Sequence, residues 1–156
     1  MIHIRKATTE DLKTILNFNK KLAQKEHGDF DTTVNSEFAD TERGQKYFKN
    51  SIEGEDSIAL IAEVEGAPAG YLVGGIEKVS VYRNIGSMCE VDFMWVDEEY
   101  RGKSIGKQLM EEATQWAKEK GVKRMRVIAS YSNKKAIEFY KREGFFEYDL
   151  ILEKNI

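Results

Sequence analysis

Val96-Asp97-Glu98-Glu99-Tyr100-Arg101-Gly102-Lys103-Ser104-Ile105-Gly106-Lys107 reads as the end of a strand, a turn, and the first residues of an amphipathic helix. Successive backbone N–H groups in a glycine-bearing turn at a helix N-terminus converge on an anion, so this stretch suits a phosphate or diphosphate. Gly102 and Gly106 permit close approach of a ligand, and Arg101 and Lys103 add positive charge. A nucleotide-hydrolysing P-loop is excluded by spacing: Gly102 and Gly106-Lys107 enclose three residues instead of four, and no Ser or Thr follows. No G-x-G-x-x-G run is present for a dinucleotide fold.

Downstream, Asn133-Lys134-Lys135-Ala136-Ile137-Glu138-Phe139-Tyr140-Lys141-Arg142-Glu143-Gly144-Phe145 reads as a shorter helix. Spacings of three, four and seven residues place Asn133, Ala136 and Tyr140 on one stripe. A phenol two turns from a side-chain amide can hold, and protonate, a group lying beside it. Upstream of the turn, Glu90-Val91-Asp92-Phe93-Met94-Trp95-Val96 alternates, which predicts Glu90, Asp92, Met94 and Val96 on one face and Trp95 opposite Asp92.

Arg101-x-x-Ser104-x-Gly106 followed by Asn133-x-x-Ala136-x-x-Phe139-Tyr140-x-x-x-Gly144-Phe145 resembles the GCN5-related N-acetyltransferases, the GNAT superfamily. The likeness is close from about Glu90 to Phe146; before that, only the order of elements matches. In the family the fourth position of the turn is usually glycine, and here it is Ser104, whose hydroxyl is free to donate to phosphate or to cap the helix. The resemblance implies an acetyl-CoA-dependent N-acetyltransferase using no metal. The main chain of Met94, Trp95 and Val96 would pair with the pantetheine arm, and the turn from Arg101 through Gly102, Lys103, Ser104 and Ile105 to Gly106 would grip the diphosphate. Asn133 would bond the arm or cap its own helix. Tyr140 would stand near the cofactor sulfur as general acid, and backbone N–H groups of the splayed strand would polarise the thioester carbonyl. Asp92 lies four residues before Val96, where several members carry a glutamate as general base. Glu90 is the reserve candidate, and a purely structural carboxylate is the other reading of Asp92. A homodimer is expected for such a fold. The alternative class is a non-catalytic CoA or acyl-CoA sensor of the same fold, distinguished by tight CoA binding without turnover on any amine.

Composition is that of a globular protein. The chain has 156 residues, 41% hydrophobic and 33% charged, enough for a single domain over 1–156 with a sizeable core. The net charge of −3 gives nucleic-acid binding no support. No apolar run suggests a membrane span, and residues 1–10 lack the apolar centre of a signal peptide. The single Cys89 with the distant His3 and His27 forms no structural zinc site, and a reducing cytoplasm is the natural setting.

The predicted order of elements is β-α-α-β-β-β-α-β-α-β around a central, mostly antiparallel sheet, a mixed α/β arrangement that resembles the acetyltransferase fold. Strands are expected over 2–6, 57–64, 69–78, 87–96, 122–130 and 145–152, and helices over 10–25, 41–52, 104–120 and 133–143. Tyr47, Phe48 and Ile52 are expected to point inward from the second helix. His27 to Asn35 reads as a loop. Residues 27–50 and the 77–87 hairpin region are expected to shape the acceptor pocket. Asp29, Asp31, Glu37, Asp40 and Glu42 point to a cationic acceptor such as a polyamine, an aminoglycoside-like amine or a peptide N-terminus.

Overall fold

Alternating residues Ile2–Lys6 form β1, whose partner is β2 (Ser57–Val64), and β2 turns through Glu65-Gly66 into β3 (Ala67–Lys78). β3 pairs with β4 (Ser87–Val96), and β4 pairs in parallel with β5 (Met125–Val127). The computed structural model, which describes residues 1–156, therefore contains one sheet in the order β1-β2-β3-β4-β5, antiparallel except for its last pair. Four helices cover it: α1 (Leu12–Asp29), α2 (Glu42–Glu53), α3 (Ile105–Glu119) and α4 (Lys134–Arg142).

Each face of the sheet carries its own core. On one face Leu60, Leu72, Cys89 and Val91 pack against Ile105, Leu109, Ala113 and Trp116 of α3, with Tyr140 and Phe145 at the margin. On the other, Ile61, Tyr71, Val73 and Trp95 pack against Ile15 and Phe18 of α1 and Phe48 of α2. Side chains that alternate along a strand serve both cores, which is why β2 and β3 read as nearly unbroken apolar runs.

The expected elements differ from the structure in three places. The helix α1 continues to Asp29, four residues past Lys25, so the loop starts later than His27. The strand expected over 122–130 is regular only at Met125–Val127, because beyond Val91 the neighbouring β4 diverges and offers no ladder. Residues 145–152 form no strand: after the Phe145 N–H, which reaches Tyr140 O at 3.0 Å, no backbone group of the tail bonds to other backbone. No strand lies beside them, and their alternating apolar side chains stand in solvent.

No helix is long and apolar enough to cross a membrane, and no group of three or more His, Cys, Asp or Glu side chains is placed to hold a metal ion.

Candidate active site

The site begins at an irregularity in β4. Val73 lies opposite Phe93 and Gly74 opposite Val91, so Asp92 is an extra residue in β4, a β-bulge. A bulge bends the strand and re-aims side chains, and here it reverses the facing of everything after it. Cys89 and Val91 face α3, and after the bulge so do Met94 and Val96. Phe93 and Trp95 turn to the α1/α2 face. The single face predicted for Glu90, Asp92, Met94 and Val96 is therefore broken at Asp92, and Trp95 ends up on the side of Asp92's partner, Tyr47.

The bulge also opens the sheet. β5 pairs only with Cys89, Glu90 and Val91, so from Asp92 onward that edge of β4 has no neighbouring strand. The Asp97 N–H reaches Ala69 O on β3 at 2.9 Å, and alternation sends the N–H and C=O groups of Met94 and Val96 the other way, into the opening. Backbone groups left in a cleft need a partner, which an amide-bearing ligand supplies as an added strand. The Val96 carbonyl already accepts from Arg101 Nε at 2.9 Å, and the Arg101 guanidinium stacks 4.6 Å from the Trp95 ring. Arg101 thereby ties the turn to the end of β4.

The turn after β4 is built on two left-handed residues. Gly102 has φ +75°, and Ser104 has φ +63°, ψ +17°, a left-handed conformation that disfavours any residue with a Cβ. The Ser104 hydroxyl does not cap the helix, contrary to one expectation for it; its carbonyl accepts from Gln108 N at 3.1 Å. No acidic residue stands in the first turn of α3, so the positive end of the helix dipole faces outward uncompensated. Ile105 is buried in the α3 core and contributes anchorage, with only its main chain available to a ligand. Gly106 works by close approach: a Cβ there would lie 3.3 Å from Phe139 and 3.9 Å from Met94. Its bareness draws the start of α3, the open part of β4 and α4 to one point.

At that point α4 supplies Tyr140. Its ring is held edge-on by Phe139 at 5.2 Å and Phe145 at 5.6 Å, and no protein group takes its hydroxyl. Burial, with the Glu26 carboxylate nearby, pushes the phenol up to about 12, so it stays protonated at neutral pH. Asn133 caps α4, its side-chain oxygen accepting from Ala136 N at 3.2 Å, while its Nδ2 donates to Glu26 Oε1 at 3.4 Å. Glu26 is a site residue that motif reading misses. A signal for it exists: Ile15, Phe18, Asn19, Leu22, Ala23 and Glu26 lie on one stripe of α1, so an acid sits where the helix faces the protein. Burial raises the pKa of Glu26.

The two carboxylates expected from β4 part company. Glu90 is held by the Arg126 guanidinium across β4 and β5, with Arg126 Nε donating to Oε2 at 2.8 Å and a second guanidinium nitrogen donating to the same oxygen. Asp92 accepts a hydrogen bond from the Tyr47 hydroxyl of α2 and reaches solvent on its other side. The packed strand and helix around it strip away water and raise its pKa; the Tyr47 bond works in the opposite direction, and Glu90 and Glu77 add to the rise. Tyr47, expected only as an inward-facing core residue, is thus also the partner of the candidate base. Of the five acids offered as a cationic pocket, Asp29 pairs with Lys25 at 2.8 Å, Asp40 pairs with Lys20, and Asp31 caps Thr33. Glu26 and Asp92 are the acids next to Tyr140 and the β4 bulge.

Comparison with known proteins agrees with the fold. The Acetyltransferase (GNAT) family description matches residues 20–145. An uncharacterized N-acetyltransferase of Methanocaldococcus jannaschii is 32% identical over 111 residues, 67% of this chain and 46% of the relative, so the chain spans about half the length of that protein. Among solved structures, a tetramutant of the BH1408 protein from Bacillus halodurans superposes with a TM-score of 0.86 at 18% identity, covering 99% of each chain. AAC(6')-Iy in complex with the bisubstrate analog CoA-S-monomethyl-acetylneamine superposes with a TM-score of 0.80 at 16% identity, covering 100% of this chain and 98% of that one. The family description covers most of the sequence, from within α1 to just past α4, and this chain belongs to the GNAT acetyltransferases.

Proposed function

We propose that this protein is an acetyl-CoA-dependent N-acetyltransferase that moves the acetyl group directly to a primary amine. The observation that carries the reading is the unpaired edge of β4 at Met94 and Val96, set between the start of α3 and the Tyr140 phenol. Family membership, and the CoA-derived ligand held by the structural neighbour AAC(6')-Iy, support it. In this reading the main chain of Met94 and Val96 bonds the amides of pantetheine, and the N–H groups of Ser104, Ile105 and Gly106 take the diphosphate with Arg101 and Lys103 alongside.

The reaction needs a neutral amine. An acceptor ammonium of lysine type has a pKa of about 10.4, so a base must take a proton before the nitrogen lone pair attacks the thioester carbon. Asp92, free of the Arg126 clamp that holds Glu90, takes that role. The C–N bond forms, the intermediate collapses, the C–S bond breaks, and sulfur leaves with the electron pair. Tyr140 donates to it. A thiol has a pKa of about 8.5, so complete transfer from a phenol near 12 is uphill, and the phenol acts chiefly by stabilising charge as it builds on sulfur. Glu26, beside Tyr140, supplies negative charge for a cationic acceptor, with a polyamine or aminoglycoside-like amine the class favoured.

Calorimetric titration with CoA, followed by a CoA-release assay over a panel of amines, tests the reading. Tyr140→Phe is expected to lower kcat on the order of a hundredfold with CoA affinity unchanged. Full activity in that variant removes Tyr140 from the chemistry, and absence of CoA binding by the parent protein removes the whole assignment.

A further inference from the structure

Tyr47 is packed as a core aromatic, yet its hydroxyl leaves the core. Its ring stands edge-on to Phe48 at 4.9 Å and to Phe93 at 5.9 Å, with Phe38 at 6.2 Å, so three neighbours fix its plane. The helix that carries it is anchored as well. Thr41 caps α2 by accepting from Gly44 N at 3.0 Å, and the buried Ser51 hydroxyl donates to the Tyr47 carbonyl at 2.9 Å. From this setting the Tyr47 hydroxyl donates to Asp92 Oδ2. Phe93, one of the rings that fixes Tyr47, directly follows Asp92 in β4. One side chain of α2 thus grips the bulge twice, through the Phe93 ring and through the Asp92 carboxylate.

The bulge is where such a grip matters. A bulged residue has no partner of its own in the ladder, so the Asp92 backbone is less constrained than that of Val91 or Phe93. A base acts only within about 0.5 Å of its productive position, and a misplacement of about 1 Å costs on the order of a hundredfold. The bond from Tyr47 is the one hydrogen bond the Asp92 side chain makes, and the residue is otherwise exposed. Around it, Glu90 on β4 and Glu77 on β3 add like charge, Cys89 is a buried neutral thiol, and the Arg126 guanidinium of β5 is committed to Glu90. Burial, and then the bond to Asp92, push the Tyr47 phenol well up, so it keeps its proton and serves as donor. The same bond favours the carboxylate form of Asp92, against burial and the two glutamates.

We propose that Tyr47 is a positioning residue for the reaction: it fixes the Asp92 carboxylate on the bulge by Oδ2 and leaves Oδ1 to meet the acceptor amine. The inference rests on Asp92 being the base of the proposed acetyl transfer. In that step the ammonium proton passes to Asp92 Oδ1, the nitrogen keeps the electron pair, and the carboxylate becomes a carboxylic acid. Tyr47 gives up no proton. Its helix lies within the stretch 27–50 expected to shape the acceptor pocket, so the same element sets the base.

Two variants of opposite sign test this. Tyr47→Phe keeps the packed ring and removes the donor. A ring-fluorinated tyrosine in place of Tyr47 keeps the donor and makes it more acidic, hence stronger. The first readout is the Asp92 carboxyl titration, followed by carbon NMR on the protein without CoA or acceptor. It is expected to move to higher pH in Tyr47→Phe and to lower pH with the fluorinated ring. The second readout is the pH profile of kcat/KM for spermidine with saturating acetyl-CoA, whose acid limb should move in the same two directions. At neutral pH, kcat of Tyr47→Phe should fall on the order of tenfold, with the calorimetric Kd for CoA unchanged. In an Asp92→Asn background, Tyr47→Phe should cost nothing further. A purely structural tyrosine moves neither titration nor limb, and lowers activity equally in both backgrounds; either result overturns the role. If circular dichroism shows Tyr47→Phe unfolded, the fluorinated protein, which keeps the ring and the hydroxyl, still decides the sign. Full activity of Asp92→Asn shows that Asp92 is not the base and removes this role with it. An Asp92 titration that ignores Tyr47→Phe, where Asp92→Asn is inactive, overturns the positioning alone. An inactive parent counts against acetyl transfer to that amine, and the titration still decides whether Tyr47 holds Asp92.

Discussion

Ser104 is the residue where local chemistry and local conformation disagree. A left-handed backbone costs a residue with a Cβ about 1 kcal/mol relative to glycine, and Ser104 gains no capping bond in return. Ser104→Gly is therefore expected to raise stability by about 1 kcal/mol in urea melts while leaving the anion-facing N–H in place. Unchanged or lower stability would mean that the serine hydroxyl has a role the geometry does not show. Asp92 and Glu26 divide the remaining chemistry, and a pH profile separates them. Asp92 must be ionised to act as a base and its pKa is raised, so kcat/KM should climb with pH through a limb lying above the ordinary aspartate value of 3.8. Asp92→Asn should abolish that limb along with most of kcat. Glu26→Gln should keep the limb and raise KM for cationic acceptors. The opposite assignment of the two effects would exchange their roles. The Asn…Phe-Tyr stripe and the glycine-bearing turn were legible in sequence because both are short-range patterns. The α1 stripe shows only that Glu26 faces inward; what it and Tyr47 meet was not legible, because their partners Asn133 and Asp92 lie far along the chain.

At the scale of elements, the clamp between β1 and α1 carries a measurable part of stability. The Arg5 guanidinium grips both oxygens of Asp11 at 2.7 and 2.8 Å, and Asp11 also accepts from Thr8 N at 2.7 Å. The Arg5 bond is the main cause that holds the Asp11 carboxyl down at about 2, against 3.8 for an ordinary aspartate. A depressed pKa in the folded state gives stability that is fully present above the unfolded value and lost as pH falls through the folded one. The shift corresponds to about 2 kcal/mol. Asp11→Asn should lower stability by that order at pH 7 and narrow the gap to the parent as pH falls from about 4 to 2. An equal loss at every pH would show packing, and not charge, to be the cause. Among the strands, β4 shows why face assignment from alternation fails at a functional edge. A single inserted residue at Asp92 shifts the period, and the sequence carries no Gly or Pro there to announce it.

For the molecule as a whole, the sheet is the rigid frame and its last strand the adaptable part. β3 is bonded on both sides along its length, and Tyr71, Leu72 and Val73 are fully buried between the two cores. Amide hydrogen exchange should therefore be slowest in β2 and β3 and fastest beyond Val91 and Val127, where β4 and β5 part; CoA should slow exchange at Met94 and Val96. Equal protection of β5 and β3 in the free protein would contradict an open edge. The sequence alone determined the kinds of element, most of their order, and the two short motifs expected to bind and act, because helix period, strand period and turn chemistry are properties of neighbours along the chain. Tertiary structure decided the rest. It reversed the facing of β4 at the bulge, clamped Glu90 with Arg126 while leaving Asp92 open, brought Glu26 to Tyr140, and left the tail without a strand beside it. Each of these depends on which distant segment lies alongside, and pairing across a fold is written in no local pattern.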